Sequence, residues 1–144
     1  MLQVAALMLL AFLDGGSTAP QVIPAAKEDA ISYEVAYKRA QTEKKPLVVL
    51  VGADWCVACR TMKSDTIVPM KNSGQLEEVV FTQLDKDRHP ELASQVMQGN
   101  TLPQIIVFCE GEKGWKRFSL TGMQTERRVQ ELIKRAAEVL PKRR

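Results

Sequence analysis

A chain of 144 residues, 45% of them hydrophobic and 26% charged, carries enough apolar material to bury the core of one domain without cross-links. The net charge of +3 rests partly on the terminal run Lys142, Arg143 and Arg144, and no basic stripe interleaves with aromatic residues, which argues against nucleic-acid binding. Three cysteines, two of them three positions apart and the third alone at Cys109, exclude a disulfide-built scaffold, so the close pair reads as chemistry.

The chain opens on an unbroken apolar run, Val4 to Leu13, followed by Gly15, Gly16, Ser17, Thr18 and Ala19. Too short to span a bilayer comfortably, residues 1–19 read as a signal peptide and imply export. No Lys or Arg precedes the run and Pro20 follows the expected cut, so an uncleaved anchor or a buried helix are the alternatives. Membrane contact, on this reading, comes through that segment alone. Residues 20–28, with Pro20 and Pro24, form a linker, and 29–144 form the folded domain.

Ser32 is a candidate N-cap, and Tyr33, Ala36, Tyr37 and Ala40 then share one helix face that must end before Pro46. Leu47 to Val51, closed by Gly52, is a strand apolar on both faces and so covered on both. A helix begins at the cysteine pair with Cys59, Met62, Thr66 and Met70 in helical register, and Pro69 predicts a kink or an end near Val68. After a short helical turn through Gln75, Leu76 and Glu77, Val79 to Leu84 forms the next strand. His89-Pro90 opens a helix with Leu92, Val96 and Met97 on its apolar face, which Gly99 closes. Ile105 to Cys109 and Trp115 to Leu120 form a hairpin. The last helix has Thr125 as N-cap and Val129, Leu132, Ile133, Ala136, Ala137 and Leu140 along one face. This order predicts an α/β domain with one mixed sheet and helices on both faces.

A dithiol at a strand-to-helix junction suits disulfide exchange. Cys56 stands at the helix N-terminus, exposed, where free N–H groups and the macrodipole favour a thiolate nucleophile; Cys59, one turn on and facing inward, resolves the mixed disulfide. Arg60 and Lys63 add positive charge there and Asp54 opposes it. The competing reading is a zinc knuckle of Cys56, Cys59, Cys109 and His89, but the second pair lacks knuckle spacing. Cys109, ending an apolar strand, reads as structural, and His89 as a loop residue.

Ala53-Asp54-Trp55-Cys56-Val57-Ala58-Cys59-Arg60, preceded by the Lys45–Val51 strand and followed by Thr101-Leu102-Pro103, resembles the thioredoxin superfamily, most closely the C-terminal thioredoxin-like domain of DsbD. The resemblance covers roughly residues 29 to 140 and implies a thioredoxin fold and thiol-disulfide oxidoreductase activity. It also implies that Pro103 is cis and packs on the sulfurs, that the backbone beside it at Leu102 pairs with an incoming peptide, and that Trp55 lies on the substrate-facing rim. From the residues alone, a strand start is the favoured reading of Pro103, and a core aromatic is the alternative for Trp55. A periplasmic monomer reducing protein disulfides, recharged by a thiol electron donor and needing neither metal nor organic cofactor, follows. Three positions depart from the family pattern. Leu50 stands where a buried acid manages the second cysteine's proton, Lys63 replaces a further acid, and Gln104 replaces the Thr after the proline. The rival reading is a peptide-binding module that holds an extended peptide at the proline loop without redox turnover.

Overall fold

The computed structural model describes residues 31–141, so the expected signal peptide and linker lie outside the described residues. The elements follow the expected order. Helix α1 (Tyr33–Glu43) starts where the Ser32 side chain accepts a hydrogen bond from Val35 N, and Ala36 and Ala40 are its buried face. It leads to β1 (Leu47–Gly52), buried along all but its last residue. Helix α2 (Val57–Met62), a π turn over Lys63–Ile67 and α3 (Val68–Asn72) then run end to end.

Here the sequence expectation needs correcting: the helix continues through Pro69 instead of ending near Val68. The irregularity falls earlier, in the π turn, where Val68 N–H reaches back to Lys63 O. Pro69 has no N–H to return to the preceding turn, and the widened turn before it accommodates that loss without stopping the helix. A tertiary tie fixes the same place, for buried Thr66 donates to the carbonyl of Gln124 at 2.8 Å. Gln75 to Glu78 form turns and not the helical turn expected there.

Strand β2 (Val80–Asp85), α4 (Pro90–Val96), β3 (Gln104–Gly111), β4 (Gly114–Thr121) and α5 (Glu126–Ala137) complete the domain. The sheet order is β2-β1-β3-β4, with β1 parallel to β2 and antiparallel to β3. Because side chains alternate along a strand, Val48 and Leu50 of β1 join Met62, Ile67, Val129 and Leu132 on one face, under α2, α3 and α5. Leu47, Val49 and Val51 join Ala36, Ala40, Ala93 and Val96 on the other, under α1 and α4. This thioredoxin fold, a mixed sheet with helices on both faces, holds the cysteine pair at the exit of its most buried strand. Among the described residues, no helix is long and apolar enough to cross a membrane.

Candidate active site

Beyond Gly52 the chain turns through Ala53 to Trp55 and enters α2 with Cys56 in the N-cap position. Cys56 and Cys59 are joined as a disulfide, their Cα atoms 5.2 Å apart, and Cys56 Sγ accepts a hydrogen bond from Cys59 N at 3.1 Å. The expectation of an exposed Cys56 beside an inward Cys59 is not met in this oxidised form, where exposures are 6% and 7%. Ala53, Cys56 and Cys59 form one small buried cluster, with Ala58 and Leu102 packed against it. The two cysteines are distinguished by their relation to the helix: Cys56 precedes it and receives an N–H at its open end, the geometry that stabilises a thiolate.

The charges nearby are partly spoken for. Arg60 donates to the backbone carbonyl of Asp54 at 2.6 Å, and Arg88 pairs with the Asp54 carboxylate at 2.7 Å, offsetting the one acid expected to oppose the thiolate. Both partners of that pair are largely exposed, so the offset is weak. Trp55 is no core aromatic. It is 64% exposed, its indole N–H donates to Asp87 Oδ2 at 2.6 Å, and Lys86 Nζ stands 5.8 Å from the ring centre.

The Leu102–Pro103 bond is cis, as the resemblance implied, and Pro103 is buried. Leu102 packs against the cluster of Ala53, Cys56 and Cys59, which brings the proline loop to the cysteine pair. Among the described residues the backbone of Leu102 has no hydrogen-bond partner. Pro103 O accepts from Gly122 N at 2.8 Å, which brings the exposed Met123 to this end of the sheet. Neither Gly122 nor Met123 was singled out in the sequence, where their only signal is a glycine with an apolar neighbour between a strand and a helix.

A cleft of about 380 Å³ opens on the other side of Cys59, lined among others by Leu50, Gly52, Lys63, Gln83 and His89. Gly52 leaves room for Cys59: a Cβ would lie 3.1 Å from Cys59 Cβ and 3.4 Å from its Sγ, so Cys59 would have to give way by a few tenths of an ångström. His89, expected only as a loop residue, precedes α4 at its N-cap position and faces this cleft. Leu50, 4% exposed, occupies the place of the missing acid. Cys109 is wholly buried in the core beneath α5, and desolvation pushes its thiol up to about 11. It belongs to a different apolar cluster from the cysteine pair, and among the described residues no three His, Cys, Asp or Glu side chains group as metal ligands.

A protein-family model described as Thioredoxin-like matches residues 28–109. Among solved structures, a thioredoxin from Thermus thermophilus superposes with TM-score 0.63 at 19% identity, over 74% of this chain and 85% of that one. The chloroplastic thioredoxin z gives 0.60 at 19% identity, over 76% and 94%. Fasciola hepatica thioredoxin gives 0.54 at 25% identity, over 69% and 89%. Likeness at this level of identity is a likeness of fold. No curated protein matches the chain significantly. The family match spans more than half of the sequence and takes in both cysteines and Pro103, and the observed topology agrees with it. This chain belongs to the thioredoxin-like family.

Proposed function

We propose that the protein is a thiol-disulfide oxidoreductase that reduces protein disulfides, working in the exported, periplasmic setting of the DsbD C-terminal domain it resembles. The observation that carries this reading is the Cys56–Cys59 disulfide at the start of α2, packed against a proline loop whose Leu102 backbone is unpaired. In the reduced form the Cys56 thiolate attacks one sulfur of a substrate disulfide. A Cys56–substrate disulfide forms and the other substrate sulfur leaves as a thiolate, which takes up a proton. Cys59, losing its proton, attacks Cys56 Sγ; the intramolecular disulfide forms and the second substrate thiol is released. Two electrons have passed to the substrate, and a thiol donor must return them.

Leu102 supports substrate binding by strand addition, since its free N–H and C=O suit an extended peptide, while Trp55 offers an exposed, ring-anchored edge beside Cys56. The test is reduction of a peptide disulfide by the dithiol protein, with its equilibrium potential measured against glutathione. Turnover that Cys56→Ser abolishes supports the proposal. Peptide binding without turnover in the parent, retained in the Cys56→Ser, Cys59→Ser double variant, would favour the binding-module reading instead.

A further inference from the structure

Gln104, at the start of β3, is fully buried and paired in the sheet with Val51 and Thr121. Its side-chain amide does not point at another side chain. Nε2 donates to Gln98 O and to Thr101 O, both at 2.9 Å, and Oε1 accepts from Gln98 N at 3.0 Å. With Gln98 it thus exchanges two hydrogen bonds, the pattern that opposed residues of an antiparallel ladder make with their backbones. Among the described residues these three are the hydrogen bonds made by the main chain of residues 98–101. One further tie reaches the segment, from Ser119 Oγ to the Gln98 side chain at 2.8 Å.

The bond to Thr101 O has a consequence for the next residue. Among the described residues the only cis peptide is Leu102–Pro103, so the Thr101–Leu102 peptide is trans and its C=O and N–H point opposite ways. Holding the Thr101 carbonyl toward Gln104 turns the Leu102 N–H away from it, on the side where Leu102 has no partner of its own. We propose that Gln104 is a positioning residue for substrate engagement, its buried amide clamping Gln98 to Thr101 so that the Leu102 backbone stands ready to pair with an extended peptide. The inference rests on the reading that Leu102 receives substrate. No smaller or differently charged side chain reproduces the clamp. Thr is too short to span both carbonyls, Leu leaves three backbone groups of Gln98 and Thr101 without their partner, and ionised Glu would face two carbonyls without a donor.

The experiment compares the parent with Gln104→Leu, Gln104→Glu and Ser119→Ala, using two substrates: a peptide disulfide that needs strand pairing and a small aromatic disulfide that does not. Gln104→Leu is expected to raise KM for the peptide about tenfold or more with kcat little changed, and to leave the rate with the small disulfide unaltered. Gln104→Glu carries a signature that a merely structural role would not: its buried carboxyl, once protonated, regains one donor. The peptide KM should therefore fall toward the parent value as pH drops from about 8 to about 5, a trend absent from the parent. Should Gln104→Leu fail to fold, Ser119→Ala removes only the peripheral tie and should raise the peptide KM in the same direction by a smaller factor. An unchanged peptide KM in folded Gln104 variants overturns the inference, as does an equal loss with both disulfides. A parent that reduces the small disulfide but never the peptide overturns the substrate reading beneath it.

Discussion

Leu50→Asp puts a carboxyl where this chain departs from its relatives, and the structure sets both its cost and its benefit. Leu50 is 4% exposed, lies in the middle of β1 between Gln83 and Ile105, and touches the cleft beside Cys59. Losing the buried leucine side chain costs roughly 1.5–3 kcal/mol at any pH. The new carboxyl, desolvated on one side and wetted by the cleft on the other, should ionise above its ordinary range, and each unit of that rise costs about 1.4 kcal/mol. Because the folded-state pKa lies above the unfolded one, this second cost is absent below about pH 4, grows as pH rises to the folded pKa, and is constant beyond it. The stability gap between variant and parent, measured by denaturant titration, should thus be wider at about pH 8 than at about pH 4. In return the carboxylate can accept the Cys59 proton, and release from a Cys56 mixed disulfide, followed by stopped flow, should quicken by about tenfold or more near neutrality. Equal resolution rates for folded variant and parent between about pH 6 and 9 would refute the idea that the missing acid limits this step.

In the reduced protein a small alkylating reagent should modify Cys56 far faster than Cys59 or Cys109; peptide mapping that finds Cys56 and Cys59 labelled equally would reverse or erase their assigned roles. Cys59→Ser should accumulate partners disulfide-linked to Cys56, visible as adducts that a reductant dissolves, and adducts on Cys109 instead would move the nucleophile. Gly52→Ala drives a methyl against Cys59, so it should destabilise the fold by about 1–3 kcal/mol and slow resolution while sparing Cys56 alkylation; a normal melting temperature with normal resolution would show the contact to be slack. The raised pKa of Cys109 makes the parent lose stability between about pH 9 and about 11, where the unfolded thiol ionises and the folded one does not. Cys109→Ala should remove that alkaline slope despite a pH-independent cavity cost, and an unchanged slope would mean that Cys109 is not its source.

What could be read from the sequence was what local chemistry decides. The β1 run, the α5 face from Val129 to Ala136 and the capping residues Ser32 and Thr125 each announce an element through neighbours a few positions away, and all of them form. The cysteine pair was legible for the same reason, and the position of Pro103 beside it came from the resemblance. The π turn was not legible, because its bonding register depends on Pro69 together with the distant Thr66–Gln124 contact. Gln104 looked like a mere departure, since its three partners are backbone groups of a loop whose path no residue pattern dictates. The closeness of Gly52 to Cys59 and the shared cleft of Cys59 and His89 arise only when β1, α2 and the entrance to α4 converge.

The two halves of the site are fastened to the molecule in unequal ways. Cys56 lies one short turn beyond β1, which is hydrogen-bonded on both sides and buried on both faces, whereas the main chain of residues 98–101 is held by one side chain. Amide exchange should reflect this, with β1 protons released only when the whole domain opens and the Gln98 proton, bonded to Gln104, released through small local excursions. The sulfurs would then keep a fixed address while the strip that meets a partner yields, letting one rigid reactive end accept peptides of differing contour without loosening the sheet that carries it.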